Sequence, residues 1–338
     1  MRKILTVFLL LALILPTISR SQDIYPKIRL KFDTRFDFET RVPENKNLST
    51  LSSIDGKYLN IILDGSINEK FSYNYRQRMI LNGIDGYKSF FNATDWIYLT
   101  YKMNDNFYLS GGKQVVAIGG YEYDAAPIDQ YFWSNFWNNV VCYQFGATLN
   151  YKSNDEKHNI GFQITNSPFT NKSMEGIYSY NLIWYGNMNW FNTIYSVNMV
   201  EYEKGHFINY IALGNKFNVG RFSLELDLMN RASGEQDNFF ADYSLIGNLI
   251  YNVNSKLKIF GKAGHDENKA QIIGDNFAYD RFVLPGTRYN FCGLGVEYFP
   301  IKDSKDVRLH AYWATNNNEK QYNTFNIGLR WQMKVLER

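Results

Sequence analysis

The chain has 338 residues, with 36 Lys and Arg against 33 Asp and Glu, and 17% of its residues are aromatic. So even a balance supplies no basic surface for nucleic acid. Beyond the first residues no stretch approaches the ~18 consecutive apolar residues of a spanning helix, and no helical periodicity of any length appears. With Gly and Asn spread evenly, the composition reads all-β.

At the N-terminus Arg2 and Lys3 precede an apolar run from Ile4 to Pro16, then "TISRSQD". A short basic segment, an apolar core too short to span and small residues at Ser19 and Ser21 have the form of an export signal. Residues 1–22 are read as a leader removed at or near Gln22, and 23–338 as one domain. The leader holds Arg2, Lys3 and Arg20 and no acid, so the mature chain carries 33 charges of each sign.

The first mature segment, "KIRLKFDTRFDFET", alternates apolar residues or Thr with charged ones from Lys27 to Thr40. Period-2 alternation means a strand with two unlike faces. Further along, short polar turns recur at 66–70, 103–106, 153–158, 186–189, 218–220, 252–255 and 301–306, flanked by alternating runs of about 8–12 residues, the length that crosses a bilayer at a tilt. Longer segments fall between them, at 41–57, 82–94, 118–140, 166–176, 201–206, 231–241, 264–287 and 315–323. Seven short turns alternating with eight longer loops give about sixteen strands, with both termini on the short-turn side. The pattern predicts a transmembrane antiparallel β-barrel of the outer membrane, its charged faces lining water and its Phe and Leu faces meeting lipid. A soluble sandwich has no reason to alternate long and short connections so strictly. Cys142 falls on the polar side of its strand and Cys292 on the apolar side of another, so no disulfide is expected.

Alternation assigns the lumen side chains. Arg29, Lys31, Arg35, Arg76, Arg78, Arg308 and Arg330 point inward, with His310 and Lys334, and closure of the last strand on the first gathers them into a basic wall. Glu225 and Asp227, with Lys258 and Lys262, face inward elsewhere as solvated charge. The segment 118–140, "IGGYEYDAAPIDQYFWSNFWNNV", lacks alternation. Its charges are Glu122, Asp124 and Asp129, and it has no Lys or Arg. Trp96, Trp184, Trp190 and Trp313 suit interfacial girdles.

Three patches carry a family resemblance: Gly112-Lys113-Gln114, running into "VVAIGGYEYDAAPID"; Glu297 to Pro300 with Asp306 to His310; and Gly328 to Trp331. The sequence resembles the porin O/P, or phosphate-selective porin, family in its Bacteroidetes form. The resemblance implies a sixteen-stranded barrel, a homotrimer, passive passage of small solutes, and an inward-folded 118–140 loop that makes the constriction. Phosphate-specific members place basic residues at the constriction, and this loop supplies none. An acidic loop facing a basic wall gives a transverse field; alternatively Glu122 or Asp124 caps the loop or pairs with wall arginines. Lys113 is either a lumen residue or a loop anchor. The chain continues seven residues past its last aromatic, Trp331, as an internal insertion signal or a short periplasmic tail.

The reading is therefore an outer-membrane porin for small hydrophilic solutes and ions, including anions such as phosphate. The alternative is a barrel plugged by its own loops, serving as an adhesin or structural protein. No cofactor, metal or enzyme is expected: none of the four His lies outward beside a Ser with an orienting partner, and no His/Cys/carboxylate spacing suits a metal.

Overall fold

A computed structural model describes residues 25–79, 90–170, 176–233, 239–269, 280–318 and 321–338. The proposed leader lies outside the described residues. The chain forms β1 Lys27–Pro43, β2 Leu51–Ser66, β3 Phe71–Arg78, β4 Thr94–Lys102, β5 Phe107–Val115, β6 Tyr143–Lys152, β7 His158–Asn166 and β8 Tyr178–Met188. It continues with β9 Phe191–Glu203, β10 His206–Val219, β11 Phe222–Ser233, β12 Asp242–Asn252, β13 Leu257–Asn268, β14 Arg288–Tyr298, β15 Val307–Asn316 and β16 Tyr322–Glu337. Each strand pairs antiparallel with its chain neighbours, and β1 pairs with β16, so the sheet closes with no free edge. Closure satisfies every ladder hydrogen bond without water, which hydrocarbon demands.

The short turns have a common local cause. In "INEKF", "MNDNF" and "VNSKL" an Asn side chain accepts two backbone N–H bonds: Asn68 from Lys70 and Phe71, Asn104 from Asn106 and Phe107, and Asn254 from Lys256 and Leu257. The Asn oxygen replaces a backbone acceptor and tightens the hairpin. Beside these turns, cross-strand aromatic pairs such as Phe71–Tyr101, Phe107–Tyr151 and Phe222–Tyr251 form a girdle at the short-turn rim.

Several expected loops are shorter than the composition suggested. For 41–57, β1 runs to Pro43 and β2 begins at Leu51, with a bulge where Phe36 meets Gly56. For 201–206, β9 and β10 join through Lys204-Gly205 alone, with Gly205 at φ 79°. For 264–287, β13 continues to Asn268. Strand pairing carries on past the membrane, where polar residues no longer reveal a pattern. The C-terminal residues do not hang free: Leu336 pairs with Leu30, and Arg338 and Ile28 exchange backbone bonds.

The two faces of β1 are as unlike as its sequence requires. Phe36 and Phe38 are about half exposed on the outside, whereas Asp33, Arg35 and Asp37 are almost wholly covered on the inside. What covers them is the inner loop 116–142.

Candidate functional site at the inner loop

The loop leaves β5 through a network of uncharged side chains on the inner faces of β5 to β9. The Gln163 carboxamide accepts from Ala117 N at 2.7 Å and donates to Val115 O at 2.9 Å. Asn198 donates to Ala117 O at 2.7 Å and to Asn181 at 2.8 Å, Asn181 donates to Gln163 at 3.1 Å, and Gly119 N donates to Ser196 Oγ at 2.8 Å. These strands carry no inward charge at this height, and amides and hydroxyls satisfy a backbone that has left its sheet. Gly119 lies so close to β9 that a Cβ would sit 2.6 Å from Ile194 O, and Gly120 adopts φ 102°, so this "GG" pair is required by both space and conformation.

The loop then crosses the lumen. Asp227 of β11 accepts from the N–H groups of Tyr121 and Glu122 at 2.9 and 2.8 Å, capping the short helix Tyr121–Asp124. Across the barrel, Arg35 donates to the carbonyls of Ile128 and Gln130 at 3.2 and 2.7 Å, and Arg308 to Ile128 at 3.2 Å. Asp129 meets Arg308 at 2.5 Å and Arg330 at 3.9 Å. Glu122 is buried, accepting from the Ser134 hydroxyl and pairing with Lys262 at 2.7 Å. Asp124 faces water. The loop returns past Asp266, which accepts from Asn135 N at 2.7 Å.

The wall arginines each meet a carboxylate. Arg29 pairs with Asp64 at the short-turn mouth, Arg35 with Asp37 at 2.6 Å, Arg76 and Arg78 with Asp95 at 2.8 and 3.0 Å, and Arg330 with Asp33 at 2.7 Å. Lys31 stands half-buried beside them on β1, with no ion pair among the described residues. The facing charges of loop and wall are thus closed into contacts at Asp129, while Glu122 turns to the opposite wall. Lys113 does not enter the lumen. It shares the outer face with Ile97 and Phe145, donates to Phe91 O at 2.8 Å, and so ties the segment before β4 to the barrel wall.

Two features escaped the sequence reading. One is the amide network, whose trace is the run of Gln, Asn, Ser and Thr at alternate positions of "GFQITN", "YSYNLIW" and "IYSVNMV". The other is an apolar core inside the lumen: Val116, Ile118, Tyr123 and Phe136 pack on Val200, Tyr202, Ile208 and Tyr210, with Phe169 and Phe282 from other loops. Inward Val, Ile and Tyr on β9 and β10 break the alternation there because they meet the loop and not water. Trp96, expected in a girdle, lies against Arg76, whose guanidinium stands 3.7 Å from its ring. Cys142 packs against the loop core and Cys292 is exposed on the outer face.

On its other side the loop borders a cavity of about 350 Å³ against β10 to β14, lined by Tyr121, Glu122, Asp124, Asp129, Lys216, Glu225, Asp227, Lys258, Lys262 and Glu297 among others.

A closed sixteen-stranded barrel, apolar outside, charged within and narrowed by a loop folded in after its fifth strand, defines an outer-membrane porin, a channel protein for small solutes. Within that class, residues 28–189 match the model of the family described as phosphate-selective porin O and P, which bears out the resemblance over that span. Solved porins share the fold at low identity. OmpF of Salmonella typhi, in complex with daunomycin, superposes with a TM-score of 0.63 at 13% identity, covering 92% of this chain and 100% of its own. The anion-selective porin from Comamonas acidovorans gives 0.61 at 10%, covering 90% and 99%. OmpT of Vibrio cholerae, in trimer form, gives 0.59 at 14%, covering 90% and 99%. No curated protein matches the chain.

Proposed function

We propose that this porin passes small hydrophilic solutes and ions by passive diffusion, works as a homotrimer in the lipid of the outer membrane, and performs no chemistry on what it passes. The observation that carries this is the inner loop itself: it is pinned to both walls, yet leaves a charged cavity of about 350 Å³ beside it, roomy enough for a small solute. The trimer form of OmpT supports the assembly. Against catalysis stands the environment of His310, whose Nε2 contacts Asp37 at 3.1 Å beneath the loop, away from any solute. Phosphate finds Arg35, Arg308 and Arg330 already engaged by carboxylates and loop carbonyls, so binding it there requires breaking those contacts.

A plugged barrel is the second reading, and the apolar core on β9 to β11 is what favours it. Planar bilayers separate the two. Stepwise conductance increments, grouped in threes, are expected of an open trimer; a folded barrel that inserts and stays silent overturns the channel.

A further inference from the structure

Resting on the open-channel reading, we infer that the passage beside the inner loop prefers cations over anions, with Asp124 and Asp129 the charges that a permeating ion meets there. The cavity is bounded by six carboxylates, those of Glu122, Asp124, Asp129, Glu225, Asp227 and Glu297, against three ammonium groups. All three lysines are already taken: Lys216 by Glu225 at 2.9 Å, Lys258 by Glu297 at 2.5 Å and Lys262 by Glu122 at 2.7 Å. Asp227 is buried and bound by two backbone N–H groups, so it is not one of the charges open to an ion.

Asp129 does have cationic neighbours, but they approach from behind. Its side chain is 39% exposed, that of Arg308 5% and that of Arg330 14%. Water therefore reaches the carboxylate more than it reaches the guanidinium groups. Arg330 is also shared with Asp33, and Arg308 lies 3.6 Å from Glu297, so neither cation belongs to Asp129 alone. Asp124 is exposed and has no cationic partner among the described residues. A cation meets the exposed carboxylate of Asp124 and the outward side of Asp129 here. An anion meets the same oxygens, with the nearest positive charges buried behind them or already neutralised.

The test uses the full chain in planar bilayers under a KCl gradient at low ionic strength, where charges inside the passage are least screened. The reversal potential should report a K⁺/Cl⁻ permeability ratio above one. Asp124→Asn should lower that ratio up to about tenfold, because one unit charge roughly 6 Å away across water changes cation and anion entry about threefold each in opposite senses, and Asp124→Lys should lower it further. Lys216→Gln, which frees Glu225, should raise it. Asp124 is at the surface of the loop, so these changes leave the barrel's packing intact. A conducting wild-type channel that prefers Cl⁻, or one whose ratio is the same in Asp124→Lys, overturns the inference and leaves the porin reading standing. A barrel that never conducts overturns both.

Discussion

Arg231 shows what a lumen arginine is for when it does not face solute. Its guanidinium is wholly buried on Asp242 at 2.5 Å and Asp280 at 2.6 Å, and donates to Ser244 at 2.9 Å, fixing the segment before β14 to the barrel wall. Removing one partner of a buried ion pair leaves an uncompensated charge, so Arg231→Met should cost about 3–5 kcal/mol. The urea midpoint of the folded barrel reads this; a midpoint equal to wild type means the carboxylates find other partners. The exposed Arg29–Asp64 pair at the mouth is a control, and Arg29→Gln should change stability by about 1 kcal/mol or less. Asp124 contributes to the pH dependence. Partial shielding by the loop, and the charge of Glu225, hold its carboxyl above the ordinary range, while the Tyr185 hydroxyl works the other way. Acidification should therefore neutralise Asp124 before an ordinary carboxylate, so cation preference should begin to decline above the usual Asp range. In Asp124→Asn that early decline should be smaller.

The inner loop is the element on which the site depends, and its anchorage divides by chemistry. At its root, uncharged amides hold backbone that a charge could not satisfy without a counter-ion; at its tip, arginines hold carbonyls and Asp129 at once. Gly120 joins the two regions at φ 102°, where an L side chain is strained. Gly120→Ala should cost about 1–2 kcal/mol. Because the strain falls on the loop and not on the sheet, noisier and larger conductance steps should accompany it while heat-resistant barrel mobility on gels persists. Steps as quiet as wild type would show that the loop's anchors alone fix its position. The "IGGYEYD" stretch made the loop and its turn legible from sequence. The partners across the barrel were not legible: nothing local links Asp227 to Tyr121 or Arg35 to Gln130, which lie about a hundred positions apart.

For the whole molecule, the barrel's two solvents decide where charge is tolerated. Phe36 lies at mid-strand on the outer face. Phe36→Arg should destabilise the barrel by about 2–4 kcal/mol, the cost of a guanidinium facing lipid near the midplane, read by unfolding in urea from bilayers of defined thickness. An effect under 1 kcal/mol would mean that this face is covered by protein and not by lipid. In mild detergent the mass should be that of three chains, and a monomer mass excludes the trimer proposed above.

Alternation along β1 and the spacing of short and long connections pointed by themselves to a barrel of about sixteen strands and to the facing of charged residues on its regular strands, because facing hydrocarbon on one side and polar groups on the other is a demand each strand meets locally; Lys113 and the inward Val, Ile and Tyr of β9 and β10 lay beyond that pattern. Which inward charges remain open to solutes was decided only by the tertiary structure. Arg35 and Asp129 both point inward, yet one lies buried under loop carbonyls and the other meets water. The difference comes from a loop crossing the barrel to strands distant in sequence, and no pattern within a strand encodes what will be laid over it.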